Sequence, residues 1–127
     1  MTRTIIHTDG APAAIGPYSQ ANAAGGFLFT AGQIPLDPAT MTIVGETAAE
    51  QTRQALTNAQ AVVEAGGLTL TDVVKVTVFI RDMAQFGNIN EVYREFFAAE
   101  PPARSVVEVS RLPKDVLVEI EMIAHRG

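Results

Sequence analysis

The sequence predicts an α+β fold: one mixed sheet of about six strands with two helices on one face. Three observations point there. The chain has 127 residues, 47% of them hydrophobic and 18% charged, enough for one domain (residues 1–127) with a true core. Two stretches carry apolar residues at helical spacing between clear start and stop signals. Most of the remainder alternates with the period of two that marks strands.

In chain order, Thr4–His7 and roughly Ser19–Ala23 are weak strands. Phe27–Ile34 is a stronger one, followed by the turn Leu36-Asp-Pro-Ala-Thr40 and a short strand Met41–Val44. Thr47-Ala-Ala-Glu50 is a capping box that opens the first helix. Its apolar side is Ala48, Thr52, Ala55, Leu56, Ala59, Val62 and Val63, and Gly66-Gly67 closes it. The next strand, about Val73–Arg81, places Val74, Val76, Val78 and Ile80 on one face and Lys75, Thr77 and Phe79 on the other. The second helix opens at Asp82-Met-Ala-Gln85, buries Phe86, Ile89, Tyr93, Phe96 and Phe97, and stops at Pro101-Pro102. Ser105–Val109 and Val116–Ala124 complete the order β-β-β-α-β-α-β-β. Two helices cover one sheet face only. Val73 and Phe79 make the other face apolar as well, so further subunits are expected to bury it.

Composition excludes several classes of function. Nine Lys and Arg against 14 Asp and Glu give a net charge of −5, without the basic footprint of a general nucleic-acid binder. There is no cysteine, hence no disulfide, thiolate metal site or cysteine nucleophile. The two histidines, His7 and His125, sit near opposite ends, which argues against a histidine metal site or a two-histidine nuclease. The first residues lack the apolar core of a signal peptide, and no run approaches the roughly 20 residues of a membrane helix. A soluble cytoplasmic protein is expected.

Several residues can carry chemistry. Arg104 opens a strand after two prolines, where a guanidinium makes a natural fork for a carboxylate; spacing alone also fits an ordinary surface arginine. Glu119 and Glu121 project from one face of the last strand. A hairpin between the last two strands would set Val106 near Glu119 and Arg104 near Glu121. An acid there serves equally as an ion-pair partner. Asn90 lies on the apolar face of the second helix and needs a hydrogen-bond partner. Ile15-Gly-Pro-Tyr18 is a tight turn that presents a tyrosine, and Gly32 interrupts a strand pattern, a frequent sign of close approach.

Together, Ala13-Ala-Ile-Gly-Pro-Tyr18-Ser-Gln20, Thr30-Ala-Gly-Gln-Ile-Pro35, Asn90-Glu-Val-Tyr93 and the block from Pro102 through Arg104 and Asp115 to Glu121 resemble the RidA (YjgF) family of reactive-intermediate deaminases. The resemblance spans about Ile5 to His125. It implies a chorismate-mutase-like fold, homotrimers with clefts between subunits, and hydrolysis of 2-imino acids to 2-keto acids and ammonia without a metal or organic cofactor. It matches Arg104 to the carboxylate-binding arginine and Glu119 to the glutamate that positions water. Tyr18, Gly32 and Asn90 match cleft positions. Val106 stands where many members carry cysteine, which leaves imine hydrolysis chemically possible but bears on substrate range. Two competing readings are an endoribonuclease or translation inhibitor, names also attached to this family, and a non-enzymatic ligand-binding trimer.

Overall fold

The computed structural model describes residues 2–127. Six strands form one sheet: β1 (Thr4–Ile6), β2 (Ala21–Ala24), β3 (Phe27–Thr30), β4 (Val73–Ile80), β5 (Ala103–Glu108) and β6 (Val118–His125). Their order across the sheet is β1-β2-β3-β6-β4-β5. Helices α1 (Ala48–Ala65) and α2 (Phe86–Phe96) connect β3 to β4 and β4 to β5. Strands β3 and β4 both run antiparallel to β6, and β5 runs parallel to β4, so the sheet is mixed as expected.

Local chemistry sets these boundaries. At the start of α1 the Thr47 side chain accepts from the Glu50 amide at 3.1 Å, and Glu50 Oε1 accepts from the Thr47 amide at 3.0 Å. That is the reciprocal capping box read from the sequence. The second helix begins later than its sequence signal. Asp82 caps a short 3₁₀ turn, Met83–Gln85, and the α-helix proper starts at Phe86.

The core lies between the helices and one sheet face. Ala55, Leu56, Ala59, Val62 and Val63 of α1, with Ile89, Val92 and Tyr93 of α2, pack on Val76, Val78, Ile80, Val118, Ile120 and Met122. The alternation of β4 departs from the expected row at one point. The register between β4 and β6 shifts between Val73 and Lys75, so Val73 is buried and Val74 is exposed. A bulge at this place moves Val74 out of the face that period-two counting assigns it.

Two expected strands shrink. The β3 ladder stops at Thr30, with an isolated bridge from Gln33 to Ile120 beyond it, and Met41–Val44 contributes only the bridge between Leu36 and Ile43. The expected hairpin of the last two strands does not form. Strand β4 lies between β5 and β6, because the crossover through α2 delivers β5 to the outer edge of β4. Among the described residues no helix covers the opposite sheet face. That face exposes Ile5, Phe27, Phe29 and Val107, so it is apolar as expected, but Val73, assigned to this face by the sequence, packs in the helix-side core instead because of the bulge.

Candidate functional site

Arg104 sits on the edge strand β5, in register with Val76 of β4, and therefore points to the helix-covered side. Its Nη1 donates to Asn90 Oδ1 at 2.7 Å. The guanidinium carbon lies 4.6 Å from the centre of the Tyr93 ring and 5.5 Å from that of Phe86. Asn90, Tyr93 and Phe86 all belong to α2, so one helix supplies every group that holds the arginine. Among the described residues no carboxylate pairs with Arg104, whereas Arg53, Arg94 and Arg111 each hold one. A neutral amide acceptor leaves the cation its full charge and most of its five donors. The groove beside it has a volume of about 450 Å³, with Tyr93, Phe97, Pro101 and Pro102 among its walls. Such an arrangement has the charge, donors and room to hold a small anion, and the planar fork suits a carboxylate.

Glu119 belongs to the other side of the sheet. Its register partner is Phe79, between the inward-facing Val78 and Ile80. Burial raises its pKa above the usual carboxylate value, and the nearby Glu121 raises it further. Gly32 is shaped around it: a Cβ at position 32 would collide with Glu119 Oε2. The backbone explains the approach. Phe29 pairs with Ile123 and Gln33 with Ile120, so three residues of one strand face two of the other. Thr30 Oγ1 fills the gap by accepting from the Met122 amide at 2.9 Å. This irregularity carries Ala31 and Gly32 out of the ladder and opens a hollow of about 230 Å³ between Tyr18, Gly32, Pro113 and Glu119. Tyr18 is held by its own turn, its hydroxyl accepting from the Ile15 amide at 3.1 Å.

The expected residues thus fall into two groups. Arg104 and Asn90 touch, and Val106 lies on the same face of β5 as Arg104. Tyr18, Gly32 and Glu119 line one hollow. The sheet separates the groups within a single chain. The sequence pairing of Arg104 with Glu121, and of Val106 with Glu119, fails with the hairpin that implied it: Arg104 and Val106 face the helices, Glu119 and Glu121 the open side.

Buried amides place these groups and carried no sequence signal of their own. Asn58 Nδ2 donates to the carbonyls of Ile34 and Leu36 at 3.1 and 2.9 Å, which anchors the segment after Gly32. Gln20 accepts from the Thr8 amide and donates to the carbonyls of Thr8, Ala11 and Pro12, which fixes the loop leading to Tyr18. Polar residues inside helical or strand patterns were the available hint. Among the described residues no three His, Cys, Asp or Glu gather as metal ligands, and no helix is long and apolar enough to cross a membrane.

Residues 8–126 match the model of a family described as Endoribonuclease L-PSP. A 2-iminobutanoate/2-iminopropanoate deaminase of Escherichia coli is 51% identical over 99% of both chains. The chain belongs to the RidA (YjgF) family. Other relatives of RidA type include a RutC family protein of Pyrococcus horikoshii, 57% identical over 98% of both chains. The crystal structure of E. coli TdcF with bound serine superimposes with a TM-score of 0.94 at 50% identity, covering 98% of this chain and 99% of that one. The RidA fold therefore accounts for the whole domain.

Proposed function

We propose that the protein hydrolyses 2-imino acids to 2-keto acids and ammonia, at a site shared between two subunits of a homotrimer. The observation that carries this reading is the pair of half-sites. One offers an unpaired guanidinium on the helix side of an edge strand; the other offers a carboxylate of raised basicity on the bare face. Contact of the first surface of one chain with the second surface of the next is head-to-tail, and such contacts close into a ring when successive subunits are related by a rotation that closes, one third of a turn for a trimer. The same contact would bury Phe27, Phe29 and Val107, which are exposed in the single chain. The names of the deaminase relatives support the reaction, and the serine bound to TdcF shares with the substrate a carboxylate next to a nitrogen-bearing carbon.

In this mechanism Arg104 binds the substrate carboxylate, held in plane by Asn90. Glu119 accepts a proton from water as the oxygen attacks C2 of the imine and passes it to the imine nitrogen, which gives a carbinolamine and leaves Glu119 ionised again. Glu119 then takes the hydroxyl proton and delivers it to the departing nitrogen as the C=O bond forms and the C–N bond breaks. The nitrogen leaves as ammonia, and the carboxylate is regenerated. Fixing water and imine in contact supplies much of the acceleration for so electrophilic a substrate.

The test is a coupled assay. A dehydratase and its amino acid generate 2-aminoacrylate, and the decay of the derived imine is followed with and without the protein. Faster decay is expected; an unchanged rate excludes the activity. The family description favours a second reading, RNA cleavage. Against it stand the net charge of −5 and the pairing of Arg53, Arg94 and Arg111 with carboxylates, since RNA affinity rests on free cations. Incubation with single-stranded RNA is expected to leave it intact.

A further inference from the structure

Tyr93 is nine-tenths buried, and among the described residues its hydroxyl has no hydrogen-bond partner. A buried phenol is usually bonded, so something other than the hydroxyl selects the residue here. Its ring supplies the nearer of two aromatic faces to the Arg104 guanidinium, 4.6 Å away, with Phe86 at 5.5 Å. Tyr93 and Phe97 also pack ring against ring, centres 4.9 Å apart and planes tilted by 36°, which restrains the plane of the Tyr93 ring.

We infer that Tyr93 is a positioning residue whose ring face, together with Phe86 and the Asn90 amide, immobilises the Arg104 guanidinium so that its free donors present a ready fork to the substrate carboxylate. This deepens the proposed deaminase site and rests on that reading. An arginine side chain has several rotatable bonds, and freezing them on ligand binding weakens affinity. A guanidinium already stacked on two rings and tethered through Nη1 has lost that freedom in advance. Burial pushes the Tyr93 pKa up to about 12, against the opposing pull of Arg104. The hydroxyl therefore stays neutral and does not itself become the counter-ion of Arg104.

Two readouts test this. Nitrogen-15 spectra of the arginine side chains, assigned with Arg104→Lys, report whether the Nη protons of Arg104 are resolved or averaged by rotation. Steady-state kinetics on the imine report KM and kcat separately. In the parent and in Tyr93→Phe, resolved Nη signals and KM values within about twofold of each other are expected, since the ring is kept. In Tyr93→Leu the signals average and KM rises about five- to tenfold, with a smaller change in kcat. Phe86→Leu, at a less buried position, gives a smaller shift in the same direction and stands in if Tyr93→Leu does not fold. Averaged signals in the parent, resolved signals in both leucine variants, or a Tyr93→Phe variant as impaired as Tyr93→Leu would each overturn the inference. A parent with resolved Arg104 signals but no turnover overturns the deaminase reading instead, and leaves the immobilisation standing.

Discussion

Burial makes Glu119 a stronger base and a less stable anion. Its raised pKa means that the folded protein binds a proton more tightly than the unfolded chain. Between the ordinary carboxylate value and the raised one the folded state holds more protons, so stability falls as pH rises through that window and stays lower above it. The proposed mechanism predicts the opposite trend for activity, because it needs Glu119 ionised: turnover is expected to be lost as pH falls through the raised value. Glu119→Gln is therefore expected to lower turnover by roughly 10²-fold or more while melting at an equal or higher temperature near neutral pH. A pH–rate profile and a melting curve check both signs. Gly32→Ala reaches the same carboxylate from the other side. The new Cβ would displace Glu119 Oε2, and misplacement of a reacting group by about 1 Å costs on the order of 10²-fold in rate. Asn90→Asp supplies the counter-ion that Arg104 now lacks, so KM for the imine is expected to rise about tenfold, or ~1.4 kcal/mol. The RidA resemblance names these residues as a set. Chemistry alone did not separate Glu119 from Glu121, since both project from one face of one strand; Gly32 separates them, because its missing side chain faces Glu119.

Elements were read from the chain where the cause of their ends is local. The capping box of α1 is written in Thr47 and Glu50, and Thr47→Ala is expected to remove about 1 kcal/mol. For a chain of this size that is a fall of roughly 3–6 °C in Tm, measured calorimetrically, with KM unmoved. Elements whose placement depends on distant partners were not legible. Residues of β5 and β6 are close in sequence and each alternates, which suits a hairpin. Yet β4 takes the place between them, through a parallel pairing that no local pattern announces. That single exchange decides which face Arg104 looks toward. The bulge after Val73 likewise arises from the β4–β6 pairing and moves Val74 to solvent.

At the scale of the whole molecule, a sheet covered on one side leaves Phe27 and Phe29 exposed on the same face as Glu119. Light scattering is expected to give about three times the chain mass of 13.5 kDa. Phe29→Glu is expected to yield monomers without turnover, because burying an unpaired charge in the subunit contact opposes assembly. The central claim, that each site takes Arg104 from one chain and Glu119 from another, is tested most directly by mixing subunits. Arg104→Ala and Glu119→Ala are each inactive alone. Unfolded together at equal amounts and refolded, they assort at random, and about one quarter of the interfaces unite an intact Arg104 with an intact Glu119. The account predicts recovery of about a quarter of parental turnover in the mixture. Mixed trimers as inactive as the separate variants would contradict it.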